Sequence, residues 1–442
     1  MQQSRFPSCR LFGTFARYVS LNVLSMLGLS LYILADTYFI ANSVGSEGIV
    51  ALNIILPAYS LIDGLGLMLG IGGATRFSIA HGEGQPEKGS GIFSKMFCIG
   101  LSLGILFTLA GILAPGLFCS VLGAAPDILP LASEYFRTML YFSPAFLSNS
   151  ILIAFVRNDG APNLATAAML TGSISNIFLD YLLMYPLGLG MFGAALATGV
   201  SPVISLCILS LHFLGKRNSF SLTLPKWRGQ ETLPSIAAGI PSLITSLSSG
   251  LLILLFNKVL LGLSGNTAVA AYGIISNIAL VCIAIFNGVS QGVQPLLSRS
   301  YGAGETRKII KLFFWAAGTC FGFGIIFFLC GLLFPDFMIA AFNRDSDEAL
   351  RQIAGTGIPL YFLSFLLAGV NIVCSSLFAC TSQPRAALTL SLLRGCIAVV
   401  PLILLFAYLF GLNGVWLSVP TAELLTFLLG VFFIRKYWKS RN

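Results

Sequence analysis

Twelve stretches of about 20 or more mostly apolar residues follow one another along this chain, each set off by a short polar segment. They lie near 13–41, 49–80, 92–115, 131–156, 163–185 and 192–214, then near 233–261, 268–299, 308–334, 347–378, 385–410 and 413–434. That is the length an α-helix needs to cross the hydrocarbon core of a bilayer. Lipid offers the backbone no hydrogen-bond partner, so only helices and closed barrels span it. A barrel would read as alternating segments of about ten residues, and this sequence has none. The pattern therefore predicts an all-α polytopic membrane protein with twelve transmembrane helices. Composition agrees: the 442 residues are 56% hydrophobic and 9% charged, against roughly 25% charged in soluble domains. So few charges leave a water-facing surface uncovered, whereas a lipid-facing one needs none.

The net charge of +9 suggests nucleic acid only until the basic residues are located. They fall in every second loop: Arg5, Arg10 and Arg17; Lys88 and Lys95; Arg157; Lys216, Arg217, Lys226 and Arg228; Arg307, Lys308 and Lys311; Arg385; and Arg435, Lys436, Lys439 and Arg441. The alternate loops hold few cations: Glu47 in the first, and Asp336, Arg344, Asp345, Asp347 and Glu348 in the longest. Positive loops stay cytoplasmic, so both termini are expected inside a plasma membrane, which requires an even number of spans. The polar, basic start from Met1 to Arg10 runs into the first span without a small-residue cleavage site, and no removable signal peptide is expected. The ten cysteines contain no CxxC pair and read as apolar packing residues.

The two sets of six spans repeat at an offset of about 220 residues, drifting to about 222 near residue 384. His81-Gly82-Glu83-Gly84 matches Tyr301-Gly302-Ala303-Gly304, Lys88 matches Lys308, Gly72 matches Gly292, and Gly111 and Pro115 match Gly331 and Pro335. The expected organisation is two pseudo-symmetric six-helix bundles, 1–215 and 233–442, joined by a cytoplasmic linker at 216–232 that holds Pro225. Six spans per half give both halves one orientation, with a two-fold axis along the membrane normal and a cavity between them.

Charges inside spans are costly and mark function by default. Four acids qualify, Asp36, Asp63, Asp180 and Glu423. Asp36 lies about six residues, or ~9 Å, below the outer end of the first span. Asp180 is at a similar depth in the fifth, with Asn176 one turn below it on the same face. Thr198 reaches that depth in the sixth, and Tyr32 sits one turn below Asp36. Hard oxygen ligands of this kind suit Na⁺. A proton serves as well, because it relieves the repulsion between two acids held together away from water. Either ion, exchanged for another, would give a coupled antiporter. The bland alternative is that Asn176 and Thr198 only bond helix backbones and each acid meets water separately. Asp63 reads either as a cavity residue or as a structural bond near Gly64 and Gly66. Glu423 reads either as a cavity residue or as the partner of Arg394. Arg76 and Lys258 are near span ends and can snorkel. His81 and His212 show no partner in the sequence. Prolines at 57, 144, 202, 241, 359, 401 and 420 permit bends.

At this point the chain resembles the multidrug and toxic compound extrusion (MATE) family over nearly its whole length. The resemblance rests on the two-lobe layout, on Ala35-Asp36-Thr37, on Gln291-Gly292-Val293-Gln294-Pro295 followed by Tyr301-Gly302-Ala303-Gly304, and on Asn176-x-x-x-Asp180 with Thr198. It implies a cation site for Na⁺ or H⁺ at Asp36, Asn176, Asp180 and Thr198, with Tyr32 nearby. It also implies export of drugs or amphipathic organic cations by alternating access. Two departures stand out: no proline interrupts the first half of the first span around Leu21 and Asn22, and the seventh offers Asn257 and Lys258 but no acid. The expectation is a monomeric transporter in the lipid bilayer, without enzyme activity, covalent cofactor or nucleic-acid partner. Its substrate cavity is expected to include Tyr32, Asp63 and Glu423. The alternative is a lipid-linked saccharide flippase. Pyrophosphate lipids would call for a basic cavity, and the mid-membrane charges here are mainly acidic. An intramembrane metal hydrolase would want clustered His or Cys, and the two His are far apart.

Overall fold

The computed structural model describes residues 8–224, 231–340 and 347–439, and the side chains from Arg10 onward. Arg5, Pro225, Lys226, Arg228, Arg344, Asp345 and Arg441 lie outside the described residues. Helices follow one another without a strand among the described residues: α1 (Ser8–Ser43), α2 (Ser46–Gly82), α3 (Glu87–Leu113), α4 (Pro115–Val121), α5 (Leu129–Tyr141), α6 (Ser143–Asn158), α7 (Pro162–Met184) and α8 (Gly190–Leu214). Then come α9 (Thr232–Gly302), α10 (Thr306–Leu333), α11 (Pro335–Ala340), α12 (Glu348–Phe362), α13 (Phe365–Cys380), α14 (Pro384–Leu392), a π-helical turn (Leu393–Ile397) and α15 (Val399–Lys439). Several starts are marked by proline at the first helical positions, as in α4, α6, α7 and α14, where the missing N–H has no intrahelical partner to lose.

Among the described residues, eight helical stretches are long and apolar enough to cross a bilayer, and the bent pairs α5–α6 (50°) and α12–α13 (43°) bring the number to ten. Two of these each contain a break. The chain leaves helical geometry at Ser264 and Gly265 within α9, and at Gly411 within α15. Gly265 and Gly411 take φ of 69° and 58°, which side chains with a Cβ resist. Dividing the two stretches there gives the twelve spans read from the sequence.

Packing sorts the described residues into two compact units. The first holds Leu24–Gly250 with Tyr301–Gly304. The second holds the residues up to Val23, Leu251–Ser300 and those from Glu305 onward. The start of α1 belongs with the second half of the chain, and the first part of α9 belongs with the first half. The limits of the units fall inside helices, at Val23–Leu24 of α1 and at Gly250–Leu251 of α9.

The reason lies in small residues, which let helix backbones meet where lipid provides no hydrophobic drive between helices. In the first unit, α2 presents Ser60, Gly64, Met68, Gly72 and Arg76 at four-residue spacing, hence along one face. A Cβ on Gly72 would lie 2.1 Å from Ser235 O, and one on Gly239 would lie 1.9 Å from Met68 O. Beyond one end of this contact, Arg76 Nε and Nη2 both donate to Glu231 Oε2 at 3.1 and 2.8 Å. Toward the other, Gly64 lies against Leu243 and Ser246. The second unit repeats the arrangement at the same offset. A Cβ on Gly292 would lie 2.7 Å from Val19 Cα, and one on Gly288 would lie 2.6 Å from Val23 Cα. In both places a side chain would force apart helices that touch through their backbones.

The first unit has two apolar cores. One gathers Ile40, Ile55, Ile62, Tyr135, Phe136, Met139, Leu147 and Met191. The other gathers Phe77, Phe93, Met96, Phe155 and Phe220. Phe220 comes from the chain after α8, which lies along this unit through Ser221 N–H to Ser90 Oγ (3.0 Å) and Thr223 N–H to Ser94 Oγ (2.8 Å). Both histidines have partners the sequence did not reveal, one from this stretch (Ser219) and one from the loop after α6 (Asp159). His81 Nε2 is 3.0 Å from Ser219 Oγ, and His212 Nε2 is 2.8 Å from Asp159 Oδ2. The second unit packs Phe286, Phe327, Phe362 and Phe365 together, with Phe256 stacked on Tyr272 at 4.6 Å.

Candidate ion-coupling site

Within the first unit, α1 brings Asp36, α7 brings Asn176 and Asp180, and α8 brings Thr198. All four are buried, Asn176 and Asp180 completely. Asn176 and Asp180 are one turn apart on one helix, so a single face of α7 delivers both. Gly172 is one turn further along α7. A Cβ there would lie 3.3 Å from Ser201 O, so α7 and α8 run close enough for Asn176 to reach Thr198. The amide of Asn176 fits best with Nδ2 donating to Asp180 Oδ2 at 3.1 Å and Oδ1 accepting from Thr198 N–H at 3.3 Å. In the opposite assignment Nδ2 donates to Thr198 Oγ1 at 3.4 Å. The choice is made from the hydrogen-bond network, because N and O are otherwise alike.

Asp36 and Asp180 lie within electrostatic reach of each other. Neither Asp36 Oδ1 nor Asp180 Oδ1 has a hydrogen-bond partner among the described residues. A buried polar atom without a partner is costly and calls for an explanation. Two carboxylates, one of them bonded to an amide that meets a threonine, match the oxygen chemistry of a small cation or a shared proton.

The structure enlarges this set with residues the sequence did not single out. Tyr135 of α5 lies within electrostatic reach of both acids. Tyr59 of α2 meets Tyr32 of α1, hydroxyl to hydroxyl, at 3.3 Å. Tyr32 in turn lies within electrostatic reach of Asp36, Asp180 and Asp63. The only sequence signal for these tyrosines is a polar hydroxyl inside an apolar run, shared by too many residues to select them.

Asp63 accepts from Ser246 Oγ of α9 at 3.1 Å, directly beside Gly64. This is the bond near Gly64 that the sequence left open as an alternative to a cavity position. In the second unit, Glu423 Oε1 accepts from Arg394 Nε and Nη2 at 3.2 and 2.8 Å, and Glu423 Oε2 accepts from Asn371 Nδ2 at 2.7 Å. Glu423 is thus charge-paired with Arg394, the second of the two alternatives read for it. Arg394 sits in the π-helical turn, and its partner Glu423 is on α15. Arg76 does not end alone at a span terminus but pairs with Glu231. Lys258 is exposed on its helix.

These features define a multi-pass helical membrane protein with a buried acidic site in one unit. The MatE family pattern matches residues 22–182 and 241–405, and the chain belongs to that family. Among curated proteins it is 28% identical over 408 residues to the multidrug export protein MepA of Staphylococcus aureus, covering 91% of this chain and 89% of the relative. It is 29% identical over 409 residues to MepA of Staphylococcus saprophyticus, with the same coverage. Among solved structures, an outward-facing multidrug resistance MATE family transporter of the MOP superfamily superposes with a TM-score of 0.90 at 23% identity, covering 97% of this chain and 96% of that one. A MOP superfamily transporter from Pyrococcus furiosus superposes with a TM-score of 0.89 at 23% identity, over 96% and 95%. At such identity these two establish the fold alone.

Proposed function

We propose that this protein is a cation-coupled antiporter, driven by Na⁺ or H⁺, that exports drugs or amphipathic organic cations by alternating access of its two halves. The observation that carries the reading is the pair of buried carboxylates, Asp36 and Asp180, each with an unpartnered oxygen, the second bonded to Asn176, which meets Thr198. Two like charges repel strongly in a low-dielectric site, and a bound cation or proton relieves that repulsion. Exchange of the ion then changes the free energy of the site between two states of the protein, which is the requirement for coupling. Membership of the MatE family and the export function named for the MepA relatives support the substrate class. In this reading Asp36, Asn176, Asp180 and Thr198 bind the ion, with Tyr32 and Tyr135 holding the set. The protein works as a monomer in the plasma membrane with both termini in the cytoplasm.

The test is drug transport by the purified full chain in proteoliposomes, with Na⁺ and pH gradients imposed separately. Transport driven by at least one gradient supports the proposal, and the arm that responds names the ion. Transport that responds to neither gradient and requires ATP overturns it.

A further inference from the structure

Among the described residues the buried acid of the second unit is Glu423, and its charge is met from inside the protein. The side chains of Arg394, in the π-helical turn, and Glu423, on α15, are only 12% and 6% exposed. Arg394 Nε and Nη2 both donate to Glu423 Oε1, at 3.2 and 2.8 Å. Asn371 of α13 donates from Nδ2 to Glu423 Oε2 at 2.7 Å and to Glu423 O at 2.8 Å. Both carboxylate oxygens are therefore taken, one by a charge and one by an amide. A guanidinium keeps its proton throughout the range in which proteins work, and its side chain ties it to the backbone. It is a cation that cannot leave.

The internal repeat shows what this pair replaces. Ser143 at the start of α6 corresponds to Phe365 at the start of α13, and Pro162 at the start of α7 to Pro384 at the start of α14. The same register sets Asn149, Gly172 and Ser201 against Asn371, Arg394 and Glu423. In the first unit Gly172 and Ser201 form a close contact between α7 and α8. One and two turns further along α7 come Asn176 and Asp180. Their counterparts in the second unit are Ala398 and Leu402, and the counterpart of Thr198 is Pro420. Asp36 falls at Phe256 in the earlier spans. Where the first unit has two acids with unpartnered oxygens, the second has apolar residues, and its acid lies one turn away with a cation built in. Coupling needs an ion that binds in one state of the protein and leaves in another. A tethered charge that is never deprotonated takes Glu423 out of that exchange.

The other titratable groups on the elements packed here against α15 are few. Tyr361 of α12 lies within electrostatic reach of both Glu423 and Arg394. Cys374 of α13 lies against Gly430, and Tyr272 of α9 stacks on Trp416. Arg385 is in the first turn of α14, and Cys396 is in the π-helical turn. None of these is a carboxylate that would compete for the guanidinium.

We propose that Arg394 serves Glu423 as a built-in counter-cation, closing the second unit to exchangeable ions and confining ion exchange to the first. The confinement rests on reading Asp36 and Asp180 as the coupling site. The closure of Glu423 does not. Asn371 Oδ1 is buried and has no hydrogen-bond partner among the described residues. With the guanidinium removed, the Glu423 carboxylate and this amide oxygen have the chemistry to take Na⁺ or a proton in its place.

Hydrogen–deuterium exchange of the full chain, with sodium chloride replaced by choline chloride in one arm and with a pH step in the other, tests this. The background is the chain carrying Asp36→Asn and Asp180→Asn, so that ion binding in the first unit does not contribute. In that background residues 415–430 are expected to exchange alike in both salts and, after allowance for the intrinsic pH dependence of exchange, at both pH values. Adding Arg394→Gln is expected to make them respond, with Na⁺ or the lower pH slowing exchange about tenfold or more, the equilibrium weight of one hydrogen bond to a charged group. Adding Glu423→Gln as well removes the acid and is expected to abolish that response. A response in the background itself, no response in Arg394→Gln, or a response that survives Glu423→Gln overturns the proposal. An Arg394→Gln chain that stays unfolded at every Na⁺ concentration and pH also overturns it, because no exchangeable cation then replaces the guanidinium. The natural chain reports on the coupling site separately. Silence at 170–184 in both arms overturns that reading and the confinement with it, while the closure of Glu423 stands or falls on 415–430 alone.

Discussion

Replacing Gly239 by alanine tests the helix contact that carries α9 into the first unit. The new Cβ would lie 1.9 Å from Met68 O, 2.7 Å from Met68 C and 2.9 Å from Met68 Cα. All three are backbone atoms of α2, so no rotamer change relieves the clash. Bringing the oxygen contact back to about 3.2 Å requires the helices to part by about 1.3 Å, and strain of this kind costs roughly 1–3 kcal/mol. The separation would also loosen the Asp63–Ser246 bond seven residues further along α9, so drug transport is expected to fall together with stability. Gly318→Ala in α10 is the control. Nothing lies within 4 Å of a Cβ built there, and in a helix interior alanine is favoured over glycine by about 1 kcal/mol. Thermal unfolding of the detergent-purified full chain reads the difference: Gly239→Ala is expected to melt below the natural protein, and Gly318→Ala at or above it. If Gly239→Ala melts with the natural protein and transports normally, the close backbone contact between α2 and α9 is refuted.

Three further sets of variants probe the charged groups. Asp36→Asn and Asp180→Asn are each expected to abolish drug resistance in cells at normal expression, and full resistance in both would remove the proposed coupling site. Arg394→Leu leaves Glu423 buried without its charge partner and is expected to cost about 3–5 kcal/mol, whereas Arg394→Leu with Glu423→Leu recovers most of that loss; a thermal melt of the double variant no higher than the single one counts against a mainly electrostatic role. Reversing the pair as Arg76→Glu with Glu231→Arg is expected to restore transport that Arg76→Glu alone reduces, because both groups are only partly exposed, at 20% and 23%; equal transport in the single variant and the natural protein would show that the pair does not hold α9.

Much of the candidate site was legible before folding, because lipid makes a buried charge rare enough to notice. Asp36, Asp180 and Asn176 stand out in apolar runs, and helical spacing puts the last two on one face. Thr198 was reached by depth, which twelve spans of known direction allow. Tyr59 and Tyr135 were not legible. Each lies on a different helix from the acids, and a tyrosine in an apolar run looks the same whether it meets a carboxylate or lipid. Asp63 and Glu423 look alike in the sequence, yet one is held by a serine and the other by an arginine and an asparagine. His81 and His212 show the same limit, since their partners Ser219 and Asp159 are 138 and 53 residues away in the chain.

From the sequence alone came the helical class, the number of spans, the offset of about 220 residues between the halves, and the concentration of paired acids in the first half. Those follow from local rules: the thickness of a bilayer, the period of a helix, and the cost of charge in lipid. Only the tertiary structure decided which residues pack into which unit. Packing groups the start of α1 with the second half of the chain and the first part of α9 with the first half. That choice depends on which backbones can approach: Gly72 and Gly239 in one unit, Gly288 and Gly292 with Val19 and Val23 in the other. A glycine's value is set by what lies opposite it, and the chain does not state that until it has folded.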